Sequence, residues 1–134
     1  MIMDQAIVIG SLSVGLLILA VYIKNRGNIS QLRIDPQEAK RRLDKEKGIV
    51  LLDVRSQEEY IDSHIPKSIS IPLSVLRQEA SERLPDKQTT IFAYCRSGNR
   101  SRAAVKILLK QGYNNVFDLG GIVRWPFRTV SGNK

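Results

Sequence analysis

The chain holds a single cysteine, Cys95, in the run Thr90-Thr-Ile-Phe-Ala-Tyr-Cys-Arg-Ser-Gly-Asn-Arg-Ser101. An apolar, β-rich stretch delivers it into a short loop with Arg96 and Arg100, and Arg102 follows where a helical pattern begins. The chemistry open to such a residue is nucleophilic. A free thiol with a pKa of about 8.5 is only a few per cent thiolate at neutral pH, so a reactive cysteine needs surroundings that favour the anion. A loop closing on a helix N-terminus turns backbone N–H groups inward, the helix dipole adds positive potential, and the arginines add formal charge. The same features draw a small oxyanion to the same place. Gly98 permits the tight turn. The competing reading is a buried structural cysteine, a common fate of free thiols. Three arginines in a strand-loop-helix setting favour the reactive reading.

Other groups with chemical potential read mostly as structure. Asp53 and Arg55 follow a continuous apolar run, at the C-terminal end of a strand where open α/β sheets place their sites. Arg55 is expected to pair with Glu58 or Glu59, which follow within one helical turn. His64, the only histidine, lies beside Ile65-Pro66 and reads as a turn residue whose ring bonds to backbone. One Cys and one His do not supply a zinc site, so neither a metal nor a cofactor is expected. Trp125 is placed to close the core or rim a pocket.

The elements that must position these groups alternate. Strands are expected at residues 32–34, 49–53, 68–71, 90–94 and 115–119, and helices at 35–45, 57–61, 74–83 and 101–110. Asp35-Pro-Gln-Glu38 offers an N-cap, a first-turn proline and an early acid, and Gly112 ends the last helix. Such alternation implies an α/β fold: a central parallel five-stranded sheet flanked by helices. There is no repeat and no low-complexity tract.

Four ordered segments together resemble the rhodanese-like sulfurtransferases. Tyr94-Cys-Arg-Ser-Gly-Asn-Arg-Ser101 is similar to that family's active-site loop, and Ile49-Val-Leu-Leu-Asp-Val-Arg-Ser-Gln-Glu-Glu-Tyr60 to its strand ending in Asp-Val-Arg. His64-Ile-Pro-Lys-Ser-Ile-Ser-Ile-Pro72 resembles its His-Ile-Pro segment, and Leu119-Gly-Gly-Ile-Val-Arg-Trp125 its closing Gly-Gly-to-Trp segment. The likeness covers about residues 30–127. Ser63 and Lys67 stand where the family commonly has glycines, which implies a different local turn. The chain ends soon after Trp125, which leaves the family's last helix short.

Loop length bears on the chemistry. Cys95-Arg-Ser-Gly-Asn-Arg100 leaves four residues between cysteine and arginine, whereas phosphatases with a comparable cradle use Cys-x5-Arg, and here that position is Ser101. Within the related fold the shorter loop goes with sulfur transfer, so the resemblance implies sulfur. It implies a ping-pong reaction in which Cys95 takes sulfane sulfur from thiosulfate or a persulfide or polysulfide donor and passes it to a thiophilic acceptor. The loop residues Arg96, Ser97, Gly98, Asn99 and Arg100 are the expected substrate cradle. Arg96 and Arg100 would orient a donor sulfonate or pair with an acidic neighbour, and Arg102 reads as a surface cation. The alternatives are a phosphatase or arsenate reductase on the same fold, and a non-catalytic redox or binding module.

Residues 5–23 carry no charge and have the length of a membrane-crossing helix, with Tyr22, Lys24 and Arg26 as interface markers. Asp4 before the run, and the lack of a small-residue cleavage site after it, favour an uncleaved anchor over a signal peptide. The expected organisation is therefore an anchor with linker at 1–27 and a rhodanese-like domain at 28–134. Asn25-Arg-Gly-Asn28 reads as the link. All basic residues follow the anchor, so the positive-inside rule places the domain on the cytoplasmic side, where a reducing environment keeps a lone thiol free. Gly10 and Gly15 are not at Gly-x-x-x-Gly spacing, so nothing supports a homodimer through the anchor. The net charge of +8 is spread along the chain and is not interleaved with aromatics. It excludes the usual nucleic-acid motifs and suits an anionic membrane surface.

Overall fold

The computed structural model describes residues 2–25 and 32–133, and within the first stretch the side chains of residues 10 and 12–23. The chain divides into two compact units, Met1–Gln31 and Leu32–Lys134. The first contains helix α1, Ile2–Asn25. Its described apolar side chains, from Leu12 to Ile23, are exposed. Among the described residues no helix is long and apolar enough to cross a membrane. The transmembrane anchor expected over 5–23 therefore lacks structural support. The side chains of residues 5–9 and 11 are outside those described, as is the linker expected at 25–28 beyond Asn25.

The second unit is built on a parallel sheet in the order β2-β1-β3-β4, with β1 at Val50–Asp53, β2 at Ile69–Ser70, β3 at Ile91–Cys95 and β4 at Val116–Gly121. All three pairings are parallel. Helices α2 (Pro36–Lys45), α3 (Gln57–Asp62), α4 (Leu73–Arg83) and α5 (Asn99–Lys110) alternate with the strands, and a 3-10 turn spans Ile122–Arg124. Every residue of β3 is buried, the signature of a central strand covered on both faces. On one face Leu51, Phe92, Tyr94 and Leu119 pack with Ala39 of α2 and Ile65.

The sheet has four strands, not five. Residues 32–34 supply only one bridge, Arg33 to Asp118, with the Ile34 amide donating to the Asp118 carbonyl at 3.0 Å. The strand stops there because Asp35 is already the N-cap of α2, accepting from the Gln37 amide at 2.9 Å, and Pro36 has no N–H to continue a ladder.

At the C-terminal end of the sheet, Arg55 pairs with Asp53, not with Glu58 or Glu59 as expected. Its Nη2 and Nε donate to the Asp53 carboxylate at 2.6 and 3.0 Å, and Nη2 also reaches the Ser63 carbonyl at 2.6 Å. Both residues are buried. The pair ties the end of β1 to the turn after α3. His64 behaves as expected of a turn residue: Nδ1 is 2.8 Å from the Tyr60 carbonyl, and its ring stacks on Tyr60. Its backbone pairs with Val130, which stitches the C-terminal tail to this turn.

Removing one member of a buried ion pair leaves the other uncompensated, at a cost of about 3–5 kcal/mol. Arg55→Ala is expected to lower stability by an amount in that range, read from the denaturant midpoint of the full chain; a loss below about 1 kcal/mol would show that the pair is not a structural tie.

Candidate active site

The geometry around Cys95 begins with the register of β4. Between Ala93 and Tyr94 the pairing of β3 with β4 slips by one, so Ala93 faces Asp118 while Tyr94 faces Gly120 and Cys95 faces Gly121. The irregularity brings two glycines beside the loop. Gly120 takes a φ of +84°, and its amide donates to the Asp118 carboxylate at 2.9 Å. Gly121 lies under the loop itself: a Cβ there would collide with the Arg96 carbonyl and stand 2.8 Å from the Ser97 Cα. The Val123 amide then donates to the Arg96 carbonyl at 3.3 Å. The Gly-Gly pair thus lets β4 serve as the floor of the loop.

Cys95 ends β3 and is 1% exposed. Gly98, at φ +112°, turns the chain into α5 as its N-cap, and its amide donates to Sγ at 3.0 Å. Ser101, in the first turn of α5, has Oγ 3.6 Å from Sγ. Burial pushes the thiol up. The Ser101 amide and hydroxyl and the amides of Gly98 and Ser97 outweigh that and hold Cys95 below its ordinary value. Backbone dipoles and one hydroxyl do the work expected of the loop.

The arginines divide differently from one another. Arg100 makes a two-point pair with Glu59, at 2.7 and 3.0 Å. Hydrogen bonding to Arg100 holds the Glu59 carboxyl down to about 2. Glu59 is also the acid of a capping box with Ser56 at the start of α3. The pair therefore fastens the loop side of α5 to α3. Arg100 also lines a recess of about 540 Å³ with Val54, Arg55 and the turn at Pro72. Arg96 is exposed and makes no ion pair among the described residues. Arg102 is exposed on α5, as expected of a surface cation. Asn99 opens α5, and Ser97 contributes its amide.

Two contributors have no local signal for this role in the sequence. Ser101 stands out there only as the position where a phosphatase would carry arginine. Asp118, buried on β4, accepts from Ser101 Oγ at 2.7 Å. The Ser101 hydroxyl has one proton and three acceptors in reach: Asp118, the Gly98 carbonyl at 3.0 Å and a Cys95 thiolate. Only the pairing of β3 with β4 brings Asp118 there, so no local pattern reveals it. Glu59 was legible as the fourth residue of Ser56-Gln-Glu-Glu, but its partner 41 positions away was not.

Residues 35–126 match the family described as Rhodanese-like domain. The chain belongs to that family. The Escherichia coli thiosulfate sulfurtransferase PspE is 37% identical over 71 residues, covering 53% of this chain and 68% of PspE. The adenylyltransferase and sulfurtransferase uba4 of Ogataea parapolymorpha is 39% identical over 95 residues, which span 70% of this chain and 24% of that longer protein. A solved E. coli rhodanese with anions superposes with a TM-score of 0.59 at 33% identity, covering 63% of this chain and 99% of that one. The rhodanese-like domain thus carries the α/β fold and the site described above.

Two outcomes follow from the site. Ser101→Ala should raise the Cys95 pKa, so that iodoacetamide alkylation at pH 7 slows and its rate inflects at higher pH than in the unsubstituted chain; an unmoved inflection would remove Ser101 from the thiolate's support. The depressed Glu59 carboxyl contributes stability that is fully present above its ordinary pKa of about 4.3 and is lost as pH falls toward 2. Glu59→Gln should therefore lower Tm at pH 7 and leave it nearly unchanged at pH 2. Equal losses at both would contradict the pairing.

Proposed function

We propose that the protein is a sulfurtransferase that carries sulfane sulfur on Cys95. The Cys95 thiolate attacks the outer sulfur of thiosulfate, the S–S bond breaks and sulfite leaves with its electron pair. Cys95 is left as a persulfide. A thiophilic acceptor such as cyanide or a thiolate then attacks the terminal sulfur and regenerates the Cys95 thiolate. Sulfur arrives and leaves as a neutral atom between electron pairs, so no external oxidant or reductant is needed. A persulfide or polysulfide can replace thiosulfate as donor.

The observation that carries this reading is the Gly98 amide on Sγ at 3.0 Å, with the Ser97 and Ser101 amides adding to it in a four-residue loop. Donors already aimed at a sulfur anion need no reorganisation when the thiolate forms or the persulfide replaces it. The lowered pKa of the nucleophile favours the thiolate that attacks. Arg96, exposed at the loop and without an ion pair among the described residues, guides the sulfonate of the donor. Arg100, held by Glu59, positions the loop and adds charge beside the recess. The loop length supports sulfur over phosphate: Ser101 occupies the place of the phosphate-clamping arginine and is engaged with Asp118.

We infer further that residues 5–23 anchor the domain to a membrane, with residues 28–134 on the cytoplasmic side. Supporting this are the uncharged run itself and the exposed apolar side chains of α1, such as Leu16 at 69% and Ile18 at 65%. A helix apolar on all sides is stable only when covered by protein or lipid.

With thiosulfate and cyanide as substrates, the full chain is expected to give parallel double-reciprocal lines, the mark of a substituted-enzyme intermediate. Cys95→Ser should abolish turnover, and Arg96→Ala should raise the KM for thiosulfate more than it lowers kcat. Intersecting lines, or turnover retained by Cys95→Ser, would contradict a Cys95 persulfide; phosphate-ester hydrolysis in its place would point to the phosphatase alternative.

A further inference from the structure

A groove of about 590 Å³ lies beside α2, and no residue of the Cys95 loop lines it. Its floor is apolar: Leu43, Ile49, Leu51, Ile65, Trp125 and Phe127. Leu51 and Ile65 are buried at its base, while Trp125 and Phe127 meet edge to face at 5.0 Å. Its rim is cationic. Lys45, Lys47, Lys67 and Arg128 line it and make no salt bridge among the described residues. The two acids that line it are already engaged, Asp44 by Lys40 and Glu46 by Arg42. The groove therefore presents an apolar bed under a rim whose cations outnumber its acids.

Lys67 adds an independent observation. Its φ is +67°, and it is the only non-glycine residue with a positive φ among those described. An L side chain in the left-handed region is disfavoured, and a glycine would make this turn without strain. A strained residue held at the rim of a cavity directs attention to what its side chain does there. What Lys67 adds over glycine is an exposed cation at the groove.

We propose that this groove is a binding site for a single-chain amphiphilic anion, an acyl carboxylate whose chain lies on the Trp125 and Phe127 side and whose head meets the rim cations, Lys67 among them. The volume falls within the range of small-molecule sites, roughly 300–1,000 Å³. A bilayer would meet an outward-facing patch, whereas buried Leu51 and Ile65 at the base are reached by one inserted chain. The proposal does not depend on sulfur transfer, and its failure would leave that reading intact.

Trp125 is the only tryptophan in the chain, so its emission reports on the groove without a label. Titration of the full chain with sodium dodecanoate, kept below its micelle concentration, is expected to give a saturable change in that emission. Dodecyltrimethylammonium, with the same chain and the opposite charge, should give none. Lys67→Gly removes the cation and relieves the strain, so it should fold at least as well, bind dodecanoate about fivefold more weakly, and retain thiosulfate turnover. Unchanged affinity in Lys67→Gly, or an equal response to the cationic amphiphile, would overturn the proposal. A response to phosphatidylglycerol vesicles but not to dodecanoate would overturn it in favour of bilayer docking.

Discussion

The ionisation of a buried thiol is the constraint on which this domain depends. Cys95 is almost fully withdrawn from solvent, and in that position a thiol resists ionisation. The opposing contribution comes from backbone amides converging on Sγ, and amides converge only if the loop is short and held in place. Much of the surrounding fold serves that holding. Gly98 turns the chain at a left-handed φ, α5 begins immediately and sets the first-turn amides, and Gly121 lets the loop lie directly on β4. A side chain at 121 would lift the loop and spoil the convergence.

The supports are arranged on both sides of the loop. On the β4 side, Asp118 holds the Gly120 amide and the Ser101 hydroxyl, so one buried carboxylate fixes both the glycine turn and a group that faces the sulfur. On the other side, Glu59 grips Arg100 and couples α5 to α3. The buried Asp53–Arg55 pair in turn fixes the turn after α3 through the Ser63 carbonyl. Charged residues near the site thus act largely as braces, and Arg96 is the loop cation left without a partner among the described residues.

Much of this was legible in the chain. The strand, loop and helix around Cys95 follow from an apolar run, a glycine and a helical pattern, which are local signals. The α2 cap follows from Asp35-Pro36. What local signals could not supply was partnership across the sheet. Residues 32–34 have the apolar character of a strand, yet the cap of α2 begins one residue later and leaves a single bridge. Arg55 has acids three and four positions ahead at helical spacing, but it turns back to Asp53 because both are buried at the end of β1. Ser101 and Asp118 are 17 positions apart and meet only through the pairing of β3 with β4.

Sulfur transfer through Cys95 is read directly from the intact mass of the full chain before and after incubation with thiosulfate, followed by cyanide. Cys95 should gain the mass of one sulfur atom and lose it to cyanide, with Cys95→Ser gaining nothing. An unmodified wild-type mass after both thiosulfate and polysulfide, or the same gain in Cys95→Ser, would contradict it.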